Sequence, residues 1–136
     1  MKKIISLVMA TLLLVGLFVT GCATTGTPAP SASPNTTPKT AVGEVSLAGS
    51  YYLTVKLYDP KKTVDDYSKL TKDQLVDREE NRTVYFNDKT TFHAYVDGQK
   101  TDITKKDIAK GDFVAIEVLN GEILSVAVII KAQANN

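Results

Sequence analysis

The sequence predicts a mainly β fold, namely a small antiparallel barrel or roll of about five to six strands with one or two short helices. Apolar and polar residues alternate over short runs between residues 44 and 130, which is the period of half-buried strands. Two pairs, Asp97-Gly98 and Asn120-Gly121, separate such runs as two-residue hairpin turns do. Cys22 is the only cysteine, so an intramolecular disulfide is excluded and the domain must be held by its core.

Residues 1–22 have the organisation of an export signal. Lys2 and Lys3 form a short positive region, and residues 4–20 carry no charge. This run is marginal for a membrane span, which needs roughly 20 apolar residues. The run ends in Val19-Thr20-Gly21-Cys22, which matches position for position the lipobox of bacterial lipoproteins. The chain therefore resembles the bacterial lipoprotein class over this segment.

The resemblance implies that residues 1–21 are a signal peptide cut between Gly21 and Cys22. It also implies that diacylglycerol and a fatty acid such as palmitate are joined to Cys22, since stable anchoring takes more than one acyl chain. The implied location is extracytoplasmic, on the cell membrane, or on the outer membrane of a Gram-negative host because Ala23 follows the cysteine. A plain signal peptide with a chance cysteine and an uncleaved transmembrane anchor are the alternatives.

We predict that residues 22–43 are a lipidated cysteine followed by a disordered tether rich in Thr, Pro and Ser. The segment has no aromatic residue and holds four of the five prolines, so it buries too little apolar surface to offset chain entropy. About 20 residues at about 3 Å each would reach roughly 60 Å from the anchor. A Pro-rich recognition ligand is the alternative, but no basic residues frame the prolines.

Residues 44–134 remain as one small β domain of about 90 residues, large enough for a core. Removing Lys2 and Lys3 lowers the 16 Lys and Arg to 14 against 15 Asp and Glu, a formal net charge of −1. This balance disfavours nucleic acid as a partner. An exported location favours an envelope protein or polysaccharide instead.

The first half of this domain contains a strand and an insertion. Residues 50–58 alternate, with one face carrying Tyr51, Leu53, Val55 and Leu57 and the other Tyr52, Thr54, Lys56 and Tyr58. Residues 61–81 are the least strand-like, and Thr71 with Gln74 forms a capping-box pair flanked by Leu70 and Leu75. We expect one or two short helices here, with residues 74–78 extending a hairpin as the alternative.

Residues 83–87 form the next strand, followed by the hairpin around Asp97-Gly98. A two-residue turn sets the register. It pairs Phe92 with Ile103, His93 with Asp102, Ala94 with Thr101 and Tyr95 with Lys100.

Thr104 begins a one-turn helix that Gly111 ends. The hairpin around Asn120-Gly121 then joins residues 113–119 to residues 122–130. Regular alternation gives one face Val114, Ile116, Val118, Ile123, Ala127 and Ile129, and the other Phe113, Ala115, Leu124, Val126, Val128 and Ile130. Both faces are apolar, so the insertion, the short helix or a partner must cover one of them. The run at residues 110–114 is similar to a connection in small secreted barrels, which implies an OB-like or SH3-like fold.

One strand face carries the residues that we expect to bind a partner. Aromatic side chains on such a face can stack on sugar rings or bases, although tyrosine also simply favours strands. The candidates are Tyr52, Lys56, Tyr58, Tyr85, His93 and Tyr95.

His93, the only histidine, faces Asp102 in the predicted register and could act as an oriented general base. Because the pattern places no Ser or Cys nucleophile beside it, an ordinary cross-strand pair fits better. We therefore expect no catalytic residue and a non-enzymatic binding or structural module, with an envelope hydrolase using His93 and carboxylates as the alternative.

No metal or cofactor is expected. A single imidazole and no soft sulfur ligand in the mature domain argue against zinc and copper. The acidic residues Asp73, Asp77, Glu79 and Glu80 do not have the spacing of a calcium-binding EF-hand loop.

Overall fold

Seven strands form one mixed sheet in the computed structural model, which describes residues 36–133. They are β1 Lys39–Ala48, β2 Tyr52–Pro60, β3 Leu75–Tyr85, β4 Thr91–Val96, β5 Gln99–Asp102, β6 Phe113–Leu119 and β7 Glu122–Ile130. Their order across the sheet is β3-β2-β1-β6-β7-β4-β5. β4 and β7 are parallel and the other neighbours are antiparallel. The mainly β class is confirmed.

The sheet is not the antiparallel barrel that the sequence predicts. Within residues 36–133 no ladder joins β3 to β5, the strand number is seven, and the helices are the single 3-10 turns Tyr67–Lys69, Lys72–Gln74 and Lys105–Asp107. The sheet nevertheless curls. Four strands, each about 4.8 Å from the next, separate β3 from β4, yet Phe86 after β3 and Phe92 on β4 have ring centroids only 5.1 Å apart.

β1 begins at Lys39, inside the segment 22–43 that was predicted to be a disordered tether. It lies in the middle of the sheet, paired with β2 and β6, and Val42 is only 2% exposed. The prediction was wrong for residues 39–43 because main-chain pairing with β6 throughout, and with β2 from Val42 onward, stabilises a stretch whose side chains are mostly small. The predicted signal peptide 1–21, Gly21 and the lipidation site Cys22 lie outside the described residues.

The two faces of the sheet bury two separate cores. The first contains Leu53, Val55, Val114, Ile116, Val126 and Val128 among others. The second contains Val42, Phe113, Ala115, Ala127 and Ile129, and it is covered by Leu70 and Leu75. The insertion therefore covers the second face, as one of the three predicted options had it.

The predicted capping pair that shapes the insertion is present. The Thr71 amide donates to Gln74 Oε1 at 3.1 Å. β3 begins at Leu75. Residues 75–78 are therefore a strand, as the alternative prediction of an extended hairpin over residues 74–78 had it.

The first predicted hairpin register is confirmed, with His93 opposite Asp102, Ala94 opposite Thr101 and Tyr95 opposite Lys100. The predicted register of the second hairpin holds only near its turn. Glu117 pairs with Ser125 but Val118 pairs with Ile123, so Leu124 is the extra residue of a bulge. This bulge reverses the predicted facing beyond it. Val126 and Val128 join the first core, while Ala127 and Ile129 join the second.

We expect Gly121→Val to lower the free energy of unfolding by about 1–2 kcal/mol, because a side chain is strained in the left-handed region. Gly121 has a φ of +86° at the second turn position. Thermal unfolding followed by circular dichroism measures the change. Glu122→Val is the matched control, since an exposed strand position accepts a β-branched residue. Equal melting temperatures for the two variants would contradict this turn.

Candidate binding site

A row of polar side chains crosses the second face of the sheet over four neighbouring strands. Thr40 on β1 pairs with Glu117 on β6, Glu117 with Ser125 on β7, and Ser125 with Thr91 on β4. Paired residues point to the same side. The Ser125 hydroxyl donates to Glu117 Oε2 at 2.8 Å. These residues form what we call the polar row.

The neighbouring row on the same face contains two small residues. Val42 pairs with Ala115, Ala115 with Ala127, and Ala127 with His93. The two alanines lie on adjacent strands, so the sheet surface is low at this point. Together with the polar row they line a cavity of about 280 Å³, whose further walls are Tyr67, Tyr95 and Lys100. We call this cavity the polar pocket.

His93 lies in the polar pocket and not on the outward surface that the sequence predicts. Its side chain is only 6% exposed because β7 flanks it and the insertion covers this face. The ring makes an edge contact with Tyr95, with centroids 5.5 Å apart. Burial lowers the pKa of His93, Lys100 lowers it further, and the charges of Asp102 and Glu117 oppose the change. His93 is therefore neutral at pH 7.

Asp102 does not orient His93 as the proposed dyad requires. The two residues are paired across β4 and β5, but the carboxylate influences the imidazole through charge alone, without a hydrogen bond. The predicted general-base arrangement is thus replaced by a buried imidazole that faces Glu117 and Ser125 across the polar pocket.

Tyr58 is part of the packing of the sheet, and Lys56 is paired at its surface. The Tyr58 hydroxyl donates to Glu44 Oε2 at 3.0 Å, and its ring packs on Phe113 with centroids 5.2 Å apart. Burial, followed by the hydrogen bond to Glu44, raises the pKa of Tyr58. Lys56 forms a salt bridge with Asp77 on β3. Tyr58 is therefore held in the packing, while Lys56 is paired with Asp77 at the surface, where its side chain is 39% exposed.

Tyr52 and Tyr85 form a third group, away from the polar pocket. They face each other across β2 and β3 with ring centroids 6.1 Å apart, and Tyr85 is 71% exposed. The six residues predicted to form one face are therefore divided. His93 and Tyr95 line the polar pocket, Tyr58 packs on Phe113, and Lys56 is paired with Asp77 at the surface. Tyr52 and Tyr85 lie at the end of β2 and β3 that is away from the insertion.

A larger cavity of about 540 Å³ is formed by residues 60–74. This segment closes on itself, because the Lys61 amide donates to the Gln74 carbonyl at 2.9 Å. Its charges are partly paired within the loop, as in Lys69 with Asp66 at 3.1 Å. The cavity is the space inside one loop, whereas the polar pocket is built from five strands of the sheet. The polar pocket is therefore the better candidate site.

Sequence reasoning missed the residues of the polar row. Glu117 is the one charged residue in β6, and Ser125 is the one polar residue in β7 after Glu122. A polar side chain that interrupts an apolar central strand is a signal in itself, because burying it is costly unless it has a partner. The cross-strand neighbours of these two residues depend on a parallel pair and a bulge, which the pattern does not reveal.

Residues 36–133 contain no group of three or more His, Cys, Asp or Glu side chains that could hold a metal ion. None of the helical turns described in this part of the chain has the length and apolarity needed to cross a membrane. Comparisons of the chain with protein-family models, with curated proteins and with solved structures find no significant match.

Proposed function

We propose that this chain is an exported lipoprotein whose β domain, tethered to the membrane through Cys22, is a non-enzymatic binding module of the cell envelope. The observation that carries the proposal is the lipobox Val19-Thr20-Gly21-Cys22 after a basic start and an uncharged apolar run. An acylated cysteine gives stable attachment when more than one chain is present. The partner is a polysaccharide or a protein outside the cytoplasm.

The polar pocket supports binding as the role of the domain. Ligand sites are concave and present a few convergent polar groups among apolar walls. In the polar pocket, Glu117 and Ser125 supply polar atoms while Tyr67 and Tyr95 supply rings. The exposed Tyr85 and the half-buried Tyr52 beside it offer a second, flatter contact to a large partner.

We expect Cys22→Ser to abolish incorporation of radiolabelled palmitate and to leave the chain with its signal attached, because serine has no thiol to alkylate. Labelling of growing cells followed by immunoprecipitation measures the first effect, and the intact mass of the protein measures the second. Thr25→Ser, a change of similar size in the same segment, is the control and keeps the label. Persistent labelling of Cys22→Ser would refute the anchor.

A hydrolase is the second candidate, because the polar pocket brings His93 together with a hydroxyl and a carboxylate. The geometry favours it less than binding. The Ser125 hydroxyl donates to Glu117, whereas a hydrolase with His93 as its base requires the serine to donate to the imidazole. Catalytic hydrogen bonds can be long in a free enzyme, so activity itself has to be measured.

If the domain were a hydrolase, Ser125→Ala and His93→Gln would each abolish hydrolysis of nitrophenyl acetate by the full chain. We expect the same rate of hydrolysis from both variants and from the unaltered chain. Thr83→Ala, a change at an exposed position, is the control and should give this rate as well. A loss of 100-fold or more on removing either side chain, about 2.7 kcal/mol of transition-state stabilisation, would establish the hydrolase in place of the binding module.

A further inference from the structure

We propose that the polar pocket binds one neutral sugar ring, a single residue of an envelope polysaccharide. This assignment deepens the proposed function and rests on it for the source of the ligand. It identifies a site, whereas the proposed function identifies only a location and a general role.

The shape of the polar pocket is set by two alanines. Ala115 and Ala127 are cross-strand partners on β6 and β7, and both are almost completely buried. Larger residues at these positions would reduce this volume of about 280 Å³. That volume lies slightly below the range of drug-sized pockets, roughly 300–1,000 Å³, which suits one ring and not an extended peptide.

The polar atoms of the pocket match hydroxyl groups. Thr40, Thr91 and Ser125 each carry a hydroxyl. Those of Thr91 and Ser125 already donate, to the Leu124 carbonyl and to Glu117 Oε2, so they accept from the hydroxyls of a sugar, whereas Thr40 can donate or accept. Glu117 accepts the Ser125 hydroxyl through Oε2, which leaves Oε1 to accept a further donor. A ligand rich in hydroxyls can satisfy this row from end to end.

The charges of the pocket favour a neutral ligand. Lys100 and Glu117 have opposite signs, and His93 is uncharged at pH 7. Neither Lys100 nor Glu117 takes part in a salt bridge within residues 36–133. An anion such as a phosphate would therefore meet an unpaired carboxylate, which is costly. A zwitterion such as a free amino acid is the competing ligand class.

The walls of the pocket supply apolar surface for the ring. Tyr67 from the insertion and Tyr95 from β4 are both half-buried at its rim. Aromatic side chains combine a broad apolar face with a hydroxyl that remains able to bond. They can pack against the carbon face of a sugar while its hydroxyls meet the polar row.

Amide NMR spectra of the full chain in detergent, titrated with methyl glucoside, methyl galactoside or N-acetylglucosamine at millimolar concentrations, test this assignment. We expect at least one sugar to shift the signals of residues 40, 91, 117 and 125 in a saturable manner. Ala127→Leu places a larger side chain in the pocket and should weaken binding at least tenfold. Glu117→Gln keeps the shape and should also weaken it about tenfold, equivalent to about 1.4 kcal/mol.

Ala48→Leu, the same change at an exposed position of β1, is the control and should bind as the unaltered chain does. Three results would overturn the assignment, namely no saturable shift with any of the sugars, unchanged binding to Ala127→Leu, or shifts of the same residues by alanyl-alanine and by none of the sugars. The test is independent of palmitate labelling. If the unaltered chain binds a sugar but takes up no palmitate, only the proposed location is refuted.

Discussion

We expect Asp112→Ala to lower the free energy of unfolding by about 3 kcal/mol, since a hydrogen bond to a charged group contributes about 1.5–3 kcal/mol. Asp112 is completely buried. Its carboxylate accepts from the amides of Ala109 and Ala132 and from the Lys131 ammonium, each at 2.9 Å. Truncation removes all three bonds at once, and the two amides, which belong to exposed residues, and the half-exposed Lys131 side chain are then left to water.

Thermal unfolding of the full chain, followed by circular dichroism, measures this loss. A change of 1 kcal/mol shifts the melting temperature of a domain of this size by roughly 4–8 °C, so the expected shift is about 12–24 °C. Asp65→Ala removes an exposed carboxylate from the insertion and should change stability by less than about 0.5 kcal/mol. Equal melting temperatures for the two variants would contradict the role of Asp112 in holding Lys131 and Ala132.

We expect Gly43→Val to destabilise the domain by about 2–3 kcal/mol, because overpacking a filled core costs about 1–3 kcal/mol or more. A Cβ at Gly43 would lie 2.8 Å from the Val55 Cβ and 3.1 Å from the Lys56 carbonyl oxygen. Both neighbours are on β2, which pairs directly with β1. Neither the main chain nor a buried β-branched side chain can move aside easily.

Urea unfolding of the same protein measures the effect as a shift of the midpoint at constant slope. Ser46→Val is the matched control, because it introduces the same side chain at an exposed position of the same strand. The experiment separates two interpretations of residues 39–43. In a disordered tether Gly43→Val would be silent, so equal midpoints would restore the interpretation that the sequence alone favoured.

Local patterns predicted the tight turns well. The pairs Asp97-Gly98 and Asn120-Gly121 demand positive φ, and the four residues have φ values between 51° and 86°. The pairing of His93 with Asp102 followed directly from the first turn. Such features depend on a few adjacent residues, which is why one sequence suffices to find them.

Features that depend on distant parts of the chain were not predictable in the same way. The bulge at Leu124 shifts the facing of Val126 and Ala127 by one residue, and the alternation of a mostly apolar strand does not reveal such a shift. The parallel pairing of β4 with β7 joins segments separated by two other strands. Both features determine which residues meet in the polar pocket.

The candidate site was predicted in part. His93 and Tyr95 were correctly placed on one face, because neighbouring positions i and i+2 of a strand point the same way. Their surroundings were not predicted, because the sequence suggested that these side chains face solvent, whereas Tyr67 and the insertion lie over them. Thr40 was assigned to the tether, so its place beside Glu117 could not be anticipated.

The central position of β1 has a consequence for how the chain folds. β1 is made first and can pair early with β2, which follows it directly, but its other edge pairs with β6, after four further strands. Contacts this far apart in sequence are formed slowly. Until then one row of main-chain amides and carbonyls stays open to strands of other molecules. A nascent copy that lacks its last two strands is therefore the form most prone to aggregate.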